Sequence, residues 1–471
     1  MFEGRLVVLY TDLVMWFLVL VVAVYVRHVM KTPELASKWH RVLANKTAVA
    51  CGAVLSVFFL VVLADSVHYR AALQSTSSND AVVYDTRTVS LLDDWIGAHI
   101  AGRERSYSAP FALREFDKTT VLVDGKPVRE FQRLTGAARD VPEKGAWIKL
   151  MRRIEVGGLA GLAGSLQIWL VAIVLCMGVR RISFGEALRR VVTPANPWRP
   201  AISVWMLAVW LGVVLMFVWP DWHVLGTDRT GNDVLFSALK SVRTAVVIGS
   251  LATFSMLPFA VVLGIAAGYF KGWVDDVIQY VYTTISSIPS VLLIAASVLM
   301  IQVFIDKNPT LYETGLERAD MRLFCLALII GVTGWATLAR LLRAETMKIC
   351  AMDFVTAAKA FGVSPWRIMA RHVLPNVAHI VLIVTVLDFS GIVLYEAVLS
   401  YVGVGVDPVM ESFGSMINAA AIEMSRSPVI WWNLAASFAF MFVLVLSANL
   451  FASGVRDAFD PKARPQGGGN A

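Results

Sequence analysis

A chain of 471 residues that is 57% hydrophobic and only 16% charged, with a mean hydropathy of +0.65, is too apolar to be a water-soluble globular protein. Its net charge of +7 would suit nucleic acid by number alone, but the basic residues are distributed as a membrane topology signal. Four cysteines in or beside apolar runs, and seven histidines without HExxH or Cys/His spacing, give no disulfide framework and no metal cage; His372 and His379 read as loop caps.

Nine apolar runs reach the roughly 17–25 residues that a helix needs to cross about 30 Å of hydrocarbon. They lie near 6–26, 47–64, 159–179, 203–219, 242–269, 278–305, 323–342, 379–399 and 430–452. The first holds Asp12 near its outer end. It lacks a basic n-region and a small-residue cleavage site, so it is not expected to be a cleavable signal. Residues 1–64 thus form two spans, and 65–158 form the one sizeable polar segment, in which Val121 to Val128 reads as a hairpin turning at Asp124-Gly125. A small α+β cap is expected there, either a docking surface for a soluble partner or a lid on the outer loops. Residues 159–200 supply a third span and a linker, 201–461 supply six more spans, and 462–471, with Gly467-Gly468-Gly469, read as a disordered tail.

The connections at 27–47, 180–202, 270–277 and 340–379 hold 17 Lys and Arg, against 6 in 220–241, 306–322 and 400–429. The positive-inside rule puts the first set in the cytoplasm, the N-terminus and 65–158 outside, and the C-terminus inside with Arg456, Lys462 and Arg464. Pro258 and Pro289 read as tolerated kinks within spans. Among ionisable residues inside spans, Asp388 stands mid-span, to line a polar cavity or to pair with a neighbouring subunit. Glu396 stands near the outer end, where a snorkelling, interfacial position is expected.

The long connection 343–379 is the most informative. Met347, Ala351, Phe354, Ala358 and Phe361 recur at helical spacing, Gly362 is a helix stop, and Ser364-Pro365 restart a helix. In that second helix Trp366, Met369, Ala370 and Val373 face one way and Arg367 and Arg371 the other, and Leu374-Pro375 are expected to end it. The pattern allows an in-plane membrane anchor, but the small Ala357-Ala358 pair suits docking into a groove on another protein.

Asp353-Phe354-Val355-Thr356-Ala357-Ala358-Lys359-Ala360-Phe361-Gly362, followed nine residues later by His372-Val373-Leu374-Pro375-Asn376, resembles the "EAA" loop of ABC importer permeases. The segment from Leu225 to Leu235 is similar to the "LGTDxxGRDVL" segment of the dipeptide, oligopeptide and nickel branch. Ala267 to Asp275, Ser287-Ile288-Pro289-Ser290, Leu399 to Gly405 and Asn449 to Pro461 match further segments in order. The resemblance runs from about 200 to 461. Thr356 replaces the usual Glu, Asn232 an Arg, and Ala452-Ser453 a Gly-Asp pair.

The resemblance implies an all-α polytopic protein of the bacterial inner membrane, its last six spans like a type I importer core, preceded by three extra spans and the exported α+β segment. It implies as partners a second related permease, two cytoplasmic ATPases that bind the ATP and Mg, a periplasmic solute-binding protein and membrane lipid, and no nucleic acid. No GxxxxGK[ST] loop occurs in this chain, which is expected to be neither an enzyme nor a holder of its own cofactor. Coupling would fall to Phe354, Thr356, Ala357, Ala358, Phe361, Gly362, Trp366, Arg367 and Pro375, and the solute path or gate to Asp388, Glu396, Asp228 and Asp233. A peptide is the expected solute, with nickel or another small solute open. The competing readings are a proton-coupled secondary transporter working through Asp388 and a non-transporting sensor.

Overall fold

The computed structural model describes residues 4–72, 84, 85, 87–97, 99–123, 126–137, 139, 141–180, 182–193 and 196–459. The Asp124-Gly125 turn and the 462–471 tail lie outside them. In chain order the elements are β1 (Gly4–Val7), α1 (Tyr10–Lys31), α2 (Pro33–Ala44), α3 (Lys46–Asp65), β2 (His68–Ala71), β3 (Val89–Ser90), α4 (Leu91–Gly97), β4 (Thr119–Val123) and β5 (Lys126–Glu130). There follow α5 (Ala146–Arg180), α6 (Phe184–Val192), α7 (Arg199–Val218), α8 (Val234–Phe270), α9 (Gly272–Ser287), α10 (Ser290–Lys307), α11 (Gly315–Gly334) and α12 (Ala336–Ile349). The last are α13 (Asp353–Ala360), α14 (Pro365–Ile368), α15 (Leu374–Tyr401), α16 (Phe413–Glu423) and α17 (Trp432–Phe459).

Among the described residues nine stretches are long and apolar enough to cross a membrane, and each overlaps one of the nine runs. The chain is a multi-pass, mostly helical membrane protein with a small sheet segment. Two boundaries need correction. The first run starts late because Gly4–Val7 pair as a strand with His68–Ala71. The run at 278–305 is not one helix: Pro289 has no N–H and forces Ile288 extended (φ −86°, ψ 130°), so α9 stops and α10 restarts. Pro258, by contrast, lies inside an unbroken α8.

Two compact units make up the chain. One comprises residues 1–12, 43–245 and 410–447. In it β2 lies between β1 and β3 in an antiparallel sheet, while β4 and β5 form the separate hairpin expected from the sequence. Gly157 and Gly161 let α5 approach α7 until a Cβ at Gly161 would stand 2.9 Å from the Trp210 ring. Ser165 Oγ donates across this contact to the Met206 carbonyl at 3.0 Å, and Trp210 Nε1 to that of Gly158 at 3.2 Å.

The segment 65–158 is built into this unit. The N–H groups of Ala101 and Phe111 donate to the carbonyls of Trp219 and His223, and Lys149 and Arg153 pair with Asp221. It packs in this way on the adjoining loop at 219–223. Asp12 stands in the first turn of α1. It is buried, taking Arg243 Nη2 on Oδ1 at 2.6 Å and the His68 ring and Leu9 N–H on Oδ2 at 2.8 and 3.3 Å. An uncompensated carboxylate there would cost several kcal/mol, so the pairing fixes where α1 begins.

The second unit comprises 13–42, 246–409 and 448–471. Gly264 and Gly268 of α8 face α12 so closely that a Cβ at Gly268 would lie 2.6 Å from the Arg343 carbonyl. Arg343 in turn holds Asp275 at the start of α9 with a two-pronged ion pair at 2.5 and 2.6 Å. Trp39 of α2 meets the edges of Tyr25 and Phe459.

Candidate functional site

The loop after α12 does not continue as one amphipathic helix. Helix α12 ends at Ile349, Met352 turns extended (ψ 148°), and α13 is a fresh eight-residue helix. Its apolar residues therefore divide differently from the sequence expectation. Val355 is fully buried against Leu342, Ile349 and Ile368, whereas Phe354 is 43% and Phe361 86% exposed. Ala357 and Ala358 do not share a face: Ala357 is exposed, while Ala358 is half-buried on the core. Thr356 is exposed and bonds only its own helix, its Oγ1 donating to the Met352 carbonyl at 3.3 Å.

Gly362 makes the corner with φ +72°, as the sequence predicts. The N–H groups of Val363 and Gly362 donate to the carbonyls of Ala358 and Lys359, the paired closure of a Schellman motif, and Val363 packs on the core with Ala358. No atom lies within 4 Å of a Cβ built at Gly362, so backbone conformation alone demands glycine.

The helix after the corner does not end at Pro375. Residues 365–401 run on as one helical stretch through a π turn at Met369–Val373, and Leu374 N–H reaches five residues back to the Met369 carbonyl. Shifting the bond register in this way accommodates a proline that cannot donate. The turn also resets the faces: Ile368, Met369 and Val373 are buried, while Trp366, at 67% exposure, joins Arg367 and Arg371 on the outside. His372 lies inside this stretch with its ring tilted against Phe354 at 6.2 Å, and neither it nor His379 caps a loop.

The end of α8 braces the corner. Tyr269 carries Lys359 Nζ 4.7 Å above its ring, and Phe270 meets Trp366 edge-on at 6.2 Å. The result is a rigid elbow on a hydrophobic base, with Phe354, Phe361 and Trp366 left uncovered.

The remaining candidate residues are held differently. Asp233 Oδ2 accepts from His223 Nδ1 at 2.8 Å and Trp219 Nε1 at 3.1 Å, and Oδ1 from Phe236 N–H at 3.0 Å, which caps α8. Asp228 Oδ1 takes the N–H groups of Thr230 and Asn232, both at 2.8 Å, closing the loop before that cap; Asn232, in place of the expected Arg, adds a bond to Thr230 at 2.9 Å. Both carboxylates thus order the 225–235 loop. Glu396 is fully buried and accepts from Ser400 Oγ at 2.7 Å, while Ser400 Oγ accepts from Val406 N–H, so Glu396 fixes the turn after α15 and does not snorkel. Asp388 is half-buried, with no hydrogen bond or ion pair among the described residues.

Sequence reasoning missed a buried group in the first unit. Glu104 accepts the N–H groups of Thr135, Gly136 and Ala137 at 2.8, 2.9 and 2.7 Å and lies 3.5 Å from His223 Nε2. Burial disfavours the imidazolium, but its hydrogen bonds to Asp233 and Glu104 outweigh this and hold the His223 pKa up to about 9. Gly231 (φ +80°) lies against the Glu104 carbonyl, leaving no room for a side chain. Among the described residues no group of three or more His, Cys, Asp or Glu is placed to hold a metal.

The family model for the binding-protein-dependent transport system inner membrane component matches residues 260–465. An oligopeptide transport system permease protein of Mycobacterium tuberculosis is 30% identical over 242 residues, covering 51% of this chain and 77% of that one. A dipeptide transport system permease protein of Lactococcus lactis is 30% identical, covering 52% and 65%. A glutathione transport system permease protein of Pectobacterium atrosepticum is 27% identical, covering 51% and 73%. A chain of the inward-facing MetNI methionine ABC transporter superposes with a TM-score of 0.33 at 16% identity, over 46% of this chain and 93% of that one.

Proposed function

The chain belongs to the binding-protein-dependent transport system inner membrane components, the permeases of ABC importers, and on that premise we propose that it forms half of a path for di- or oligopeptides and couples it to separate ATPase subunits through the 343–379 elbow. The observation that carries the coupling is the exposure of Phe354, Phe361 and Trp366 around a corner whose base is fully buried. Large aromatic side chains left uncovered on a rigid support are what a partner's groove needs as anchors. Peptide as the solute is supported by the names of the relatives. In this reading ATP and Mg are held by two cytoplasmic ATPase subunits, and a second permease and a periplasmic solute-binding protein complete the importer.

Gly362→Val tests the elbow. A β-branched residue in the left-handed region costs of order 1–2 kcal/mol and turns the second helix from its seat without altering any span-forming apolar run. Ala357→Glu adds a charge to the exposed face, sparing the half-buried Ala358. Both variants are expected to reach the membrane at normal abundance and to lose co-purification of the ATPase subunits. Lys359 is a poor neutral control because it braces Tyr269. Arg371→Gln serves better. Full ATPase retention by both test variants would remove the coupling role from this loop.

A further inference from the structure

The break between α9 and α10 is surrounded by polar groups that none of the foregoing uses. Ser286, Ser287 and Ser290 are exposed around Ile288-Pro289. From α12, the exposed Arg340 lies 4.7 Å over the Tyr282 ring and donates from Nη2 to Ser286 Oγ at 3.1 Å. From α15, Tyr395 donates its hydroxyl to Ser290 Oγ at 3.0 Å.

Helical spacing brings Asp388 to the same place. Val377, Val381 and Val384 of α15 pack on the core cluster that contains Tyr282. Asp388 follows four residues after Val384 and seven before Tyr395, on the face whose ends touch Tyr282's cluster and Ser290. It therefore shares a face of α15 with Tyr395, the residue that meets the break.

A carboxylate in the middle of an apolar span, without a partner among the described residues, costs several kcal/mol against lipid. Broken backbone within a span is tolerated where it is covered by protein or lines water, and discontinuous helices are where transporters bind solute. The groups here are an anion on α15, a cation on α12 and hydroxyls at the α9–α10 break, and along α15 Asp388 and Tyr395 stand about 10 Å apart at roughly 1.5 Å per residue. An extended tripeptide covers about the same length at roughly 3.5 Å per residue.

We propose that Asp388, Tyr395, Arg340 and the hydroxyls of Ser286 and Ser290 form a binding station for a short zwitterionic peptide, Asp388 taking its ammonium group and Arg340 its carboxylate. The proposal rests on the peptide-permease reading and assigns this subunit's contacts with the solute. Contact with the second permease is the competing use of Asp388, and the test separates the two.

The assembled importer, purified with its accompanying subunits, carries single cysteines at Ser290, Asp388 or Tyr395 in a background lacking Cys51, Cys176, Cys325 and Cys350. A water-soluble, positively charged thiosulfonate should label all three, and at Ser290→Cys, which keeps both Asp388 and Arg340, trialanine, but not its N-acetylated and C-amidated form, should slow that labelling. Ser290→Cys changes one atom, so a folded importer is assured for at least that position. In uptake, Asp388→Asn should lower trialanine transport about tenfold, the scale of a lost charge-assisted bond, and Asp388→Glu should restore part of it. The station is overturned if no position labels, if trialanine leaves labelling unchanged, if Asp388→Asn transports at the wild-type rate, or if Asp388→Cys cross-links to the second permease. Wild-type importer that carries no trialanine would overturn the peptide reading and the station together. Wild-type transport without protection would overturn the station alone.

Discussion

His223 shares one imidazole between two carboxylates, Nδ1 with Asp233 and Nε2 facing Glu104, and this joins the 65–158 segment to the cap of α8. The two signs of pKa shift give the cluster a stability window. His223 is raised to about 9 from an ordinary 6.5, so its contribution is complete below pH 6.5 and is lost as pH rises through about 9. Glu104 runs the other way. Burial raises its pKa, but bonds from His223 and the N–H groups of Ala137, Thr135 and Gly136 pull it below the ordinary 4.5. Its contribution is therefore present above pH 4.5 and fades as pH falls through the lowered value. In detergent, the melting temperature of the wild-type protein should fall between pH 6.5 and 9.5. His223→Gln should start lower and change little over the same interval. A wild-type profile as flat as the variant's would mean that His223 is neutral in the folded protein.

At the scale of elements, α5 and α7 are matched by what α5 lacks. Gly157 and Gly161 remove side chains where Val214, Phe217 and Trp210 come close, with hydrogen bonds from Ser165 and Trp210 laid across the contact. Gly161→Val should therefore push the helices apart at a cost of about 1–3 kcal/mol, the usual range for overpacking. Denaturant titration of the purified protein should show the midpoint lowered, with Gly158→Val as the comparison, because nothing lies within 4 Å of a Cβ at Gly158. Equal midpoints for the two variants would dispose of this account.

How far such features were legible depended on how local their causes are. Crossing hydrocarbon needs a continuous apolar run, and all nine runs were readable from composition. Gly362 was readable because the left-handed corner has a one-residue signature. Pro375 misled because its missing N–H is accommodated by a π turn two to six residues upstream, and Trp366, grouped by sequence with Met369 and Val373, is exposed while they are buried. Asp12 was opaque because its partners His68 and Arg243 stand 56 and 231 residues away. Glu396 looked interfacial from its place near a span end, but Ser400, one turn on, lets it be buried. The loop carboxylates Asp228 and Asp233 carried a motif whose visible work is to close the loop and cap α8, respectively.

At the scale of the whole molecule the open quantity is orientation, which depends on how many times the chain crosses. The break at Ile288-Pro289 could have added a crossing and inverted everything after it. Two contacts argue that α9 and α10 make one traverse together: Asp275 ties the start of α9 to Arg343 late in α12, and Ser290 ties the start of α10 to Tyr395 late in α15. Were each of the nine candidate spans among the described residues one traverse, the termini would fall on opposite sides, and the positive-inside rule predicts that the basic connections face inside. Single cysteines at Glu130 and Ser364, both exposed, in the background lacking the four native cysteines, should then differ in intact cells treated with a membrane-impermeant thiol reagent. Glu130→Cys is expected to label at once and Ser364→Cys only after the membrane is permeabilised. The reverse pattern would invert the orientation and put the elbow on the wrong side for an ATPase. Labelling of both positions in intact cells would mean an even number of crossings between residues 130 and 364, and would point to α9 and α10 as the miscounted pair.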